Sequence, residues 1–517
     1  MKYISNIKYL ALGILCSLGT SSCSGFLEEY SQDLAKVEGW KDLDEVLLGG
    51  AYLQSGRLVP QNSYTDVEAG EDLDLLHFMS DELKESGDNG SDMLGHLKGM
   101  FAYYTWQQNT GVDEKLKYVG GDEKYWDMLY SKINVTNMVI SLIDEQPEAN
   151  KEDHDNKERV KGEAHFLRAA YYFLLVNLYG EPYVAAKAEQ TPGVPIKTTE
   201  YVEDEVFERQ SVAEVYRQII SDLEIAEQCL QDKNRASIYH ANRVATHLLQ
   251  SRVYLYMQNW EKAAAYAQTV IKEQGNLLDL HIKSPGDNIL YKDSPETIFS
   301  MGGYLICTEF STDGKYDEPA YYLSDDMLDL YADEDLRSSL YIGETDNGCQ
   351  DVFMKVNGQP EYWGSYYDTS SCFLLRTPEA YLTLAEASAY NGDEDTARRT
   401  LERFLATRME TPVSVTESGE ELISFIRNER AREFLLEGQR WFDLRRYTVC
   451  SASPWSKVIE HGHIYYANYS PDYADWYHLE KNDQAYTLPI PQKTRSFQVS
   501  LGNNERPARA PFKTEQY

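Results

Sequence analysis

The sequence predicts a mostly α-helical protein, a scaffold of paired helices carrying long, irregular, aromatic-rich loops and a few short strands. Three observations carry that prediction. Apolar residues recur at i+3 and i+4 over several separate stretches. One helix pair returns 133 residues further on. Between the helical blocks lie segments 56–120, 274–375 and 448–517, rich in Gly, Asn, Asp, Tyr and Trp. They are too long for ordinary connections and too aromatic for disorder.

The first helix is expected from Trp126 to Ile143, with Leu129, Ile133, Met138 and Ile140 in register. A second runs from Glu158 to Tyr179 with Ala164, Leu167, Ala170, Tyr171, Leu174 and Leu178 on one side, and Gly180 and Pro182 end it. The acidic and amide residues 144–156 read as the link between the two. A third helix follows Ser211, which with Glu214 forms a capping box; its apolar face is Val215, Ile219, Leu223, Ala226 and Leu230. A fourth, Ala241 to Met257, turns at Gln258-Asn259 into a fifth, Trp260 to Lys272, where Ala263, Ala264 and Ala267 allow close packing. This pair resembles a tetratricopeptide unit. Its copy maps Leu249 to Leu382, Met257 to Tyr390 and Ala264 to Ala397, with a turn at Asn391-Gly392-Asp393. Such pairs cannot bury their apolar faces singly and must stack. One last amphipathic helix is expected from Glu421 to Tyr447, with Phe434, Trp441 and Leu444 as a buried stripe. Opposite charges recur along it at i+3: Arg430 with Glu433, Glu437 with Arg440, Arg440 with Asp443, and Asp443 with Arg446. Glu433 and Glu437, four apart, repel, so another group must offset them. Trp126 and Trp260 are read as core, like Trp441.

The start of the chain sets the compartment. Lys2 and Lys8 precede an apolar run from Tyr9 to Leu18, too short to span a bilayer but the length of a signal-peptide core. Small residues then lead to Cys23, in a stretch that resembles a bacterial lipobox, where cleavage leaves a diacylated cysteine. The alternative is an ordinary cleaved signal with a chance cysteine. Two acyl chains anchor stably where one is marginal. Losing residues 1–22 removes two lysines and no acid, which takes the formal charge from −35 to −37. That excess argues against nucleic acid and anionic lipid surfaces as partners. Besides Cys23 the mature chain has Cys229, Cys307, Cys349, Cys372 and Cys450, with no CxxC, which argues against a disulfide framework. Cys349–Cys372 is the first bridge to test. The expected division is 1–22 signal peptide, 23–273 N-terminal part with helix pairs, and 274–517 C-terminal part, as one compact unit.

Six segments, in order, resemble the SusD/RagB family of outer-membrane nutrient-binding lipoproteins. They are Cys23 through Glu28; Trp126 through Asn137; Gly162 through Ala169 with Tyr179 through Pro182; Asp293 through Ile298; Glu429 through Arg446; and Leu488 through Pro491. The proline that follows the family's lipidated start is missing here. The resemblance implies a surface protein that captures oligosaccharide and delivers it to a SusC-like, TonB-dependent outer-membrane transporter. It also implies attachment to the outer membrane through Cys23, facing the exterior, without catalysis or a cofactor. A peptide-binding member of the family and a non-catalytic helical-repeat scaffold are the alternatives. The charge makes a polyanionic glycan a poor ligand.

No Gly-x-Ser-x-Gly, His-Glu-x-x-His or P-loop is present. His461 and His463 lack a third ligand for a metal. Glu163, His165 and Arg168 read as a packing network. For ligand contact the candidates are aromatic clusters in the long loops with polar neighbours: Tyr64 with Asp66, Tyr103-Tyr104 with Trp106, and Tyr362-Trp363 with Tyr366-Tyr367. A sugar's C–H face packs on such rings while acids and amides take its hydroxyls. The alternative for each cluster is core packing. Forty tyrosines and eight tryptophans are enough for both.

Overall fold

The computed structural model of the chain describes residues 37–53, 57–58, 67–68, 73–86, 97–201, 206–230, 237–301, 320–344, 348–356, 369, 373–468 and 470–517. Its main helices are α1 (Trp40–Val46), α2 (Lys124–Ile143), α3 (Lys151–Tyr179), α4 (Val212–Cys229), α5 (Arg243–Tyr256), α6 (Trp260–Gln274), α7 (Thr377–Tyr390), α8 (Glu394–Leu405), α9 (Gly419–Glu433), α10 (Arg440–Thr448) and α11 (Gln492–Phe497). From α2 to α8 each helix packs on the next, the arrangement of stacked helix pairs that the repeat predicts. Leu249 and its counterpart Leu382 are both fully buried, and Trp260 meets Tyr390 at 4.7 Å between ring centres, which joins the two pairs. Asn259 and Asp393 cap the second helix of each pair. One continuous apolar core runs from Leu43 to Leu501; a smaller one, with Leu382, Leu401, Phe404 and Ile426, lies between α7, α8 and α9.

The Ser211–Glu214 capping box forms as read, with both reciprocal bonds. The link 144–156, in contrast, ends early, because α3 already begins at Lys151. Asn150 caps α3 by accepting from the Glu152 and Asp153 amides, and those two acids favour the positive helix end. Gly162 lets α3 approach the end of α4: a Cβ there would stand 2.7 Å from Leu230 Cγ and 2.9 Å from Cys229 Cβ. Gly162→Ala is therefore expected to cost about 1–3 kcal/mol of stability by overpacking, measurable by urea unfolding.

The helix expected over Glu421 to Tyr447 is broken. α9 ends at Glu433 and α10 starts at Arg440; between them Leu436 (φ 52°) and Gly438 (φ 72°) take left-handed backbone. The break is held by side chains from elsewhere. Lys355 Nζ donates to the Glu433 carbonyl (2.6 Å), the Leu435 carbonyl (3.1 Å) and Glu437 Oε1 (2.7 Å). The Leu436 amide donates to Glu82 at 2.7 Å. Freed carbonyls at a helix end thus meet a cation, which the helix dipole favours. Phe434, Trp441 and Leu444 are buried as read, but on different elements. Of the four i+3 pairs only Asp443–Arg446 forms, at 2.8 Å; Arg430 reaches Asp443 across the break instead (2.9 Å), and Arg440 pairs with Asp81 (2.7 Å).

The groups that offset the Glu433–Glu437 repulsion are Arg376, Arg408, Arg337 and Lys355. Arg376 bridges both carboxylates (3.1 and 2.7 Å) and reaches Glu296 at 3.0 Å. Arg408 adds Glu433 (3.0 Å) and Glu296 (2.6 Å). All are fully or almost fully buried. Glu163, His165 and Arg168 form a second packing network. His165 and Arg168 converge on Asp222, while Glu163 accepts from Tyr52, Arg159 and His240.

Strands are few and short, except in the stretch 448–517 read as irregular. There β5 (Ile459–Ala467) and β6 (Ser470–Leu479) form an antiparallel hairpin, and β7 (Lys513–Gln516) pairs with the other edge of β6. Earlier in the chain, β1 (Leu83–Glu85) pairs with β3 (Tyr321–Leu323), and β2 (Thr297–Phe299) with β4 (Leu375–Arg376). β2 begins inside the segment read as a short strand.

Candidate functional site

Three of the sequence-chosen positions fall together and turn inward. Tyr103, Tyr104 and Trp106 are at most 3% exposed. Trp106 sits at φ 50° and donates its indole N–H to the Met79 carbonyl at 2.9 Å. Tyr104 and Trp106 clamp the His461 ring from both sides, with centroid distances of 4.1 and 4.3 Å, and His461 Nδ1 bonds the Tyr104 carbonyl at 2.7 Å. The cluster therefore supports β5 from below, and its ring faces are used by the core. Tyr64, Asp66, Tyr362, Trp363, Tyr366 and Tyr367 lie outside the described residues, as do Cys23 and Cys372.

Above that support, the β5–β6 hairpin brings a half-buried aromatic group to the surface. Tyr465 and Tyr473 face each other across the ladder and stack at 4.5 Å with an interplanar angle of 15°. His463 sets its edge to Tyr465 at 4.8 Å, and Phe101 packs on His463 at 4.9 Å. Asp475 stands opposite His463 and accepts from Thr514 at 2.5 Å. On the other face of the sheet Trp476 lies over Gly462, where a Cβ would be 3.0 Å from the indole. The Trp476 indole N–H donates to Glu515 (3.2 Å), and Lys513 stands 5.4 Å from the ring centre. Flat rings flanked by carboxylates, a lysine and hydroxyls can hold a polyhydroxylated ring by stacking and hydrogen bonding. The described residues hold no group of three metal-ligating side chains.

His463 is the electrostatic centre of this shelf. Its Nδ1 bonds Glu85 at 2.9 Å and Nε2 stands 3.7 Å from Glu114. Burial works against its charge, but the Glu85 and Glu114 carboxylates outweigh it and hold its pKa up at about 9. A pKa raised above the unfolded value of about 6.5 stabilises fully below that value, and the gain is lost as pH rises through about 9. Urea unfolding is thus expected to lose stability between pH 6.5 and 9 in the wild type and to lose less in His463→Gln.

The hairpin was missed in the sequence because its apolar alternation is interrupted by Gly462, Asn468 and Asp475 and by a bulge between Pro471 and Tyr473. The usable signal was the run of Tyr465, Tyr466, Tyr469, Tyr473, Trp476 and Tyr477 at near-alternate spacing.

Comparison with known proteins agrees with this architecture. A family model described as starch-binding associating with outer membrane matches residues 61–255, and one described as the SusD family matches residues 325–505; the two span well over half of the chain. A SusD-like protein of Bacteroides ovatus is 24% identical over 65% of this chain and 66% of its own length. SusD-like protein P2 of Formosa agariphila is 26% identical over 43% of this chain, a match spanning only 38% of that relative. Among solved structures, a SusD superfamily protein of Bacteroides thetaiotaomicron aligns with a TM-score of 0.68 at 23% identity, over 90% of this chain and all of that one. The surface glycan-binding protein A of Bacteroides fluxus aligns with a TM-score of 0.61 at 18% identity, over 90% and 97%. With the motifs, the stacked helix pairs and these matches in agreement, the chain belongs to the SusD/RagB-like family.

Proposed function

We propose that this protein is a non-catalytic, lipid-anchored surface receptor that captures oligosaccharide and passes it to a TonB-dependent outer-membrane transporter. The observation that carries the ligand class is the stacked Tyr465–Tyr473 pair with carboxylates beside it. Carbohydrate offers C–H faces to rings and hydroxyls to acids, and asks for no charge, which suits a chain this acidic. Two proteins of the same fold support the reading by name: the Bacteroides fluxus glycan-binding protein and a putative sugar binding protein of Bacteroides vulgatus. Tyr64, Asp66, Tyr362, Trp363 and Tyr366 belong to the proposal as further ligand contacts, while Trp106 serves it by holding the hairpin through His461 and Tyr103 packs in the core against Tyr125. Cys23 is the anchor, and no helix among the described residues is long and apolar enough to cross a membrane.

The test is calorimetric titration of the soluble mature domain with neutral oligosaccharides identified on a glycan array. Binding is expected, with affinity reduced about tenfold or more in Tyr465→Ala/Tyr473→Ala, a loss of about 1.4 kcal/mol. Tight peptide binding with no response to any carbohydrate would overturn the ligand class. Unchanged glycan affinity in the double variant would leave the class standing and remove this shelf from it.

A further inference from the structure

The carboxylates around the Tyr465–Tyr473 shelf are not alike. Glu85 is spent inside the protein, where it accepts from His463 Nδ1 at 2.9 Å and from the Ile464 amide at 3.2 Å. Asp475 accepts from the Thr514 hydroxyl at 2.5 Å. Glu114 differs from both. Among the described residues it accepts no hydrogen bond, and its one ion-pair contact is the long one to His463 Nε2 at 3.7 Å. That Nε2 is itself buried without a hydrogen-bond partner. The Glu114 side chain is 28% exposed, so most of its acceptor capacity is unused and within reach of solvent.

The chain around Glu114 is built to hold it there. Asp113 accepts from the Lys115 and Lys117 amides at 3.0 and 2.9 Å. The Leu116 amide donates to the Asp113 carbonyl at 2.8 Å, and Val112 pairs with Tyr118 across the loop. A loop closed by its own backbone bonds presents a side chain at little ordering cost on binding. Glu114 also lies near enough to Tyr473 for its charge to act on that phenol, whose pKa is raised by burial and then by Asp475, Asp472 and Glu114.

We propose that Glu114 is the specificity-determining residue of the shelf: it accepts from two neighbouring hydroxyls of the sugar ring that stacks on Tyr473, and so selects neutral sugars over uronates there. The assignment rests on the glycan reading above. An ionised carboxylate is acceptor-only and takes two O–H donors at once. A uronate carboxylate in the same place would bring no donor and would face Glu114, Asp472 and Asp475, a juxtaposition of like charges that binding does not repay. His463, oriented by Glu85, is the positioning residue on the far side of Glu114.

Calorimetric titration of the soluble mature protein tests it, with malto-, cello-, manno- and xylo-oligosaccharides as neutral probes and oligogalacturonate and oligomannuronate as acidic ones. Glu114→Gln should weaken binding of the neutral ligand about tenfold or more, while binding of the uronates appears or tightens. Glu114→Asp, which keeps the charge, should keep the exclusion of uronates. Unchanged neutral affinity in Glu114→Gln would overturn the assignment and leave the glycan reading standing. An equal loss for neutral and acidic ligands would make Glu114 a brace for its loop, and would also overturn it. A wild type that binds none of the neutral probes and binds peptide tightly would overturn the glycan reading and this assignment with it.

Discussion

Glu433→Gln is expected to lower unfolding stability by about 3–5 kcal/mol, the scale for breaking a buried ion pair from one side. The side chain is fully buried. Its two oxygens take Arg408 (3.0 Å each), Arg376 (3.1 Å) and the Tyr341 hydroxyl (3.3 Å), with Arg337 at 3.5 Å. The amide keeps the shape but removes the charge, and its NH₂ points donors at guanidinium donors. Three cations would then share fewer carboxylates in a low-dielectric interior, where unpaired charge is most costly. Arg376, which also donates to the Glu433 carbonyl at the end of α9 (3.2 Å), would lose its bond to this carboxylate, so the α9–α10 break should loosen with it. Urea unfolding followed by tryptophan fluorescence measures the loss; a change below about 1 kcal/mol would assign the network the weight of a surface pair.

The same network gives the protein its acid limit. Burial opposes the charge on Glu433, but Arg408, Arg376 and Arg337 outweigh it and hold its carboxyl well below the usual range. Arg430 and Arg446 likewise hold Asp443 down at about 2. A carboxyl depressed in the folded state contributes its full stability above the unfolded value of about 4, and loses it as pH falls through the folded value. The wild type should therefore resist acid to about pH 4 and unfold progressively below it, and Glu433→Gln should show a shallower acid slope on top of its lower plateau.

Cys23→Ala is expected to move the protein from the membrane fraction to the soluble fraction almost completely. With Cys23 lipidated as proposed, two acyl chains on one residue provide anchoring that the acidic body cannot replace. Glycan affinity of the released protein should equal that of the anchored form, because the shelf on the β5–β6 hairpin is built without the tether. Fractionation and immunoblotting measure the release; continued membrane association of the variant would refute the anchor.

Much of the scaffold was legible in the sequence because it rests on local rules. Helix periodicity, the Ser211 cap and the repeat from Leu249 to Leu382 each depend on residues a few positions apart, and these elements stand where they were read. The misreading of the last helix has a non-local cause. The segment from Glu421 to Tyr447 satisfies every local criterion for a single helix, yet Lys355, Arg376 and Glu82, distant in sequence, bind its middle and break it. Of the i+3 pairs only Asp443–Arg446 survived, since partners brought in by the fold competed for the rest. The candidate site was less legible still. Tyr103 and Trp106 were chosen by residue type, and type does not say which way a ring faces.

By itself, then, the sequence determined the family, the helix-pair scaffold and the acidic charge, all of which follow from pattern and composition. Only the tertiary structure decided which aromatics support and which present. Tyr104 and Trp106 enclose His461, while Tyr465 and Tyr473 stack at the edge of the sheet above. It also decided that the Glu433–Glu437 repulsion is answered by Arg376. Both outcomes depend on groups tens to hundreds of residues apart meeting in a water-excluded interior, where an ion pair or a ring contact outweighs any preference of the local chain.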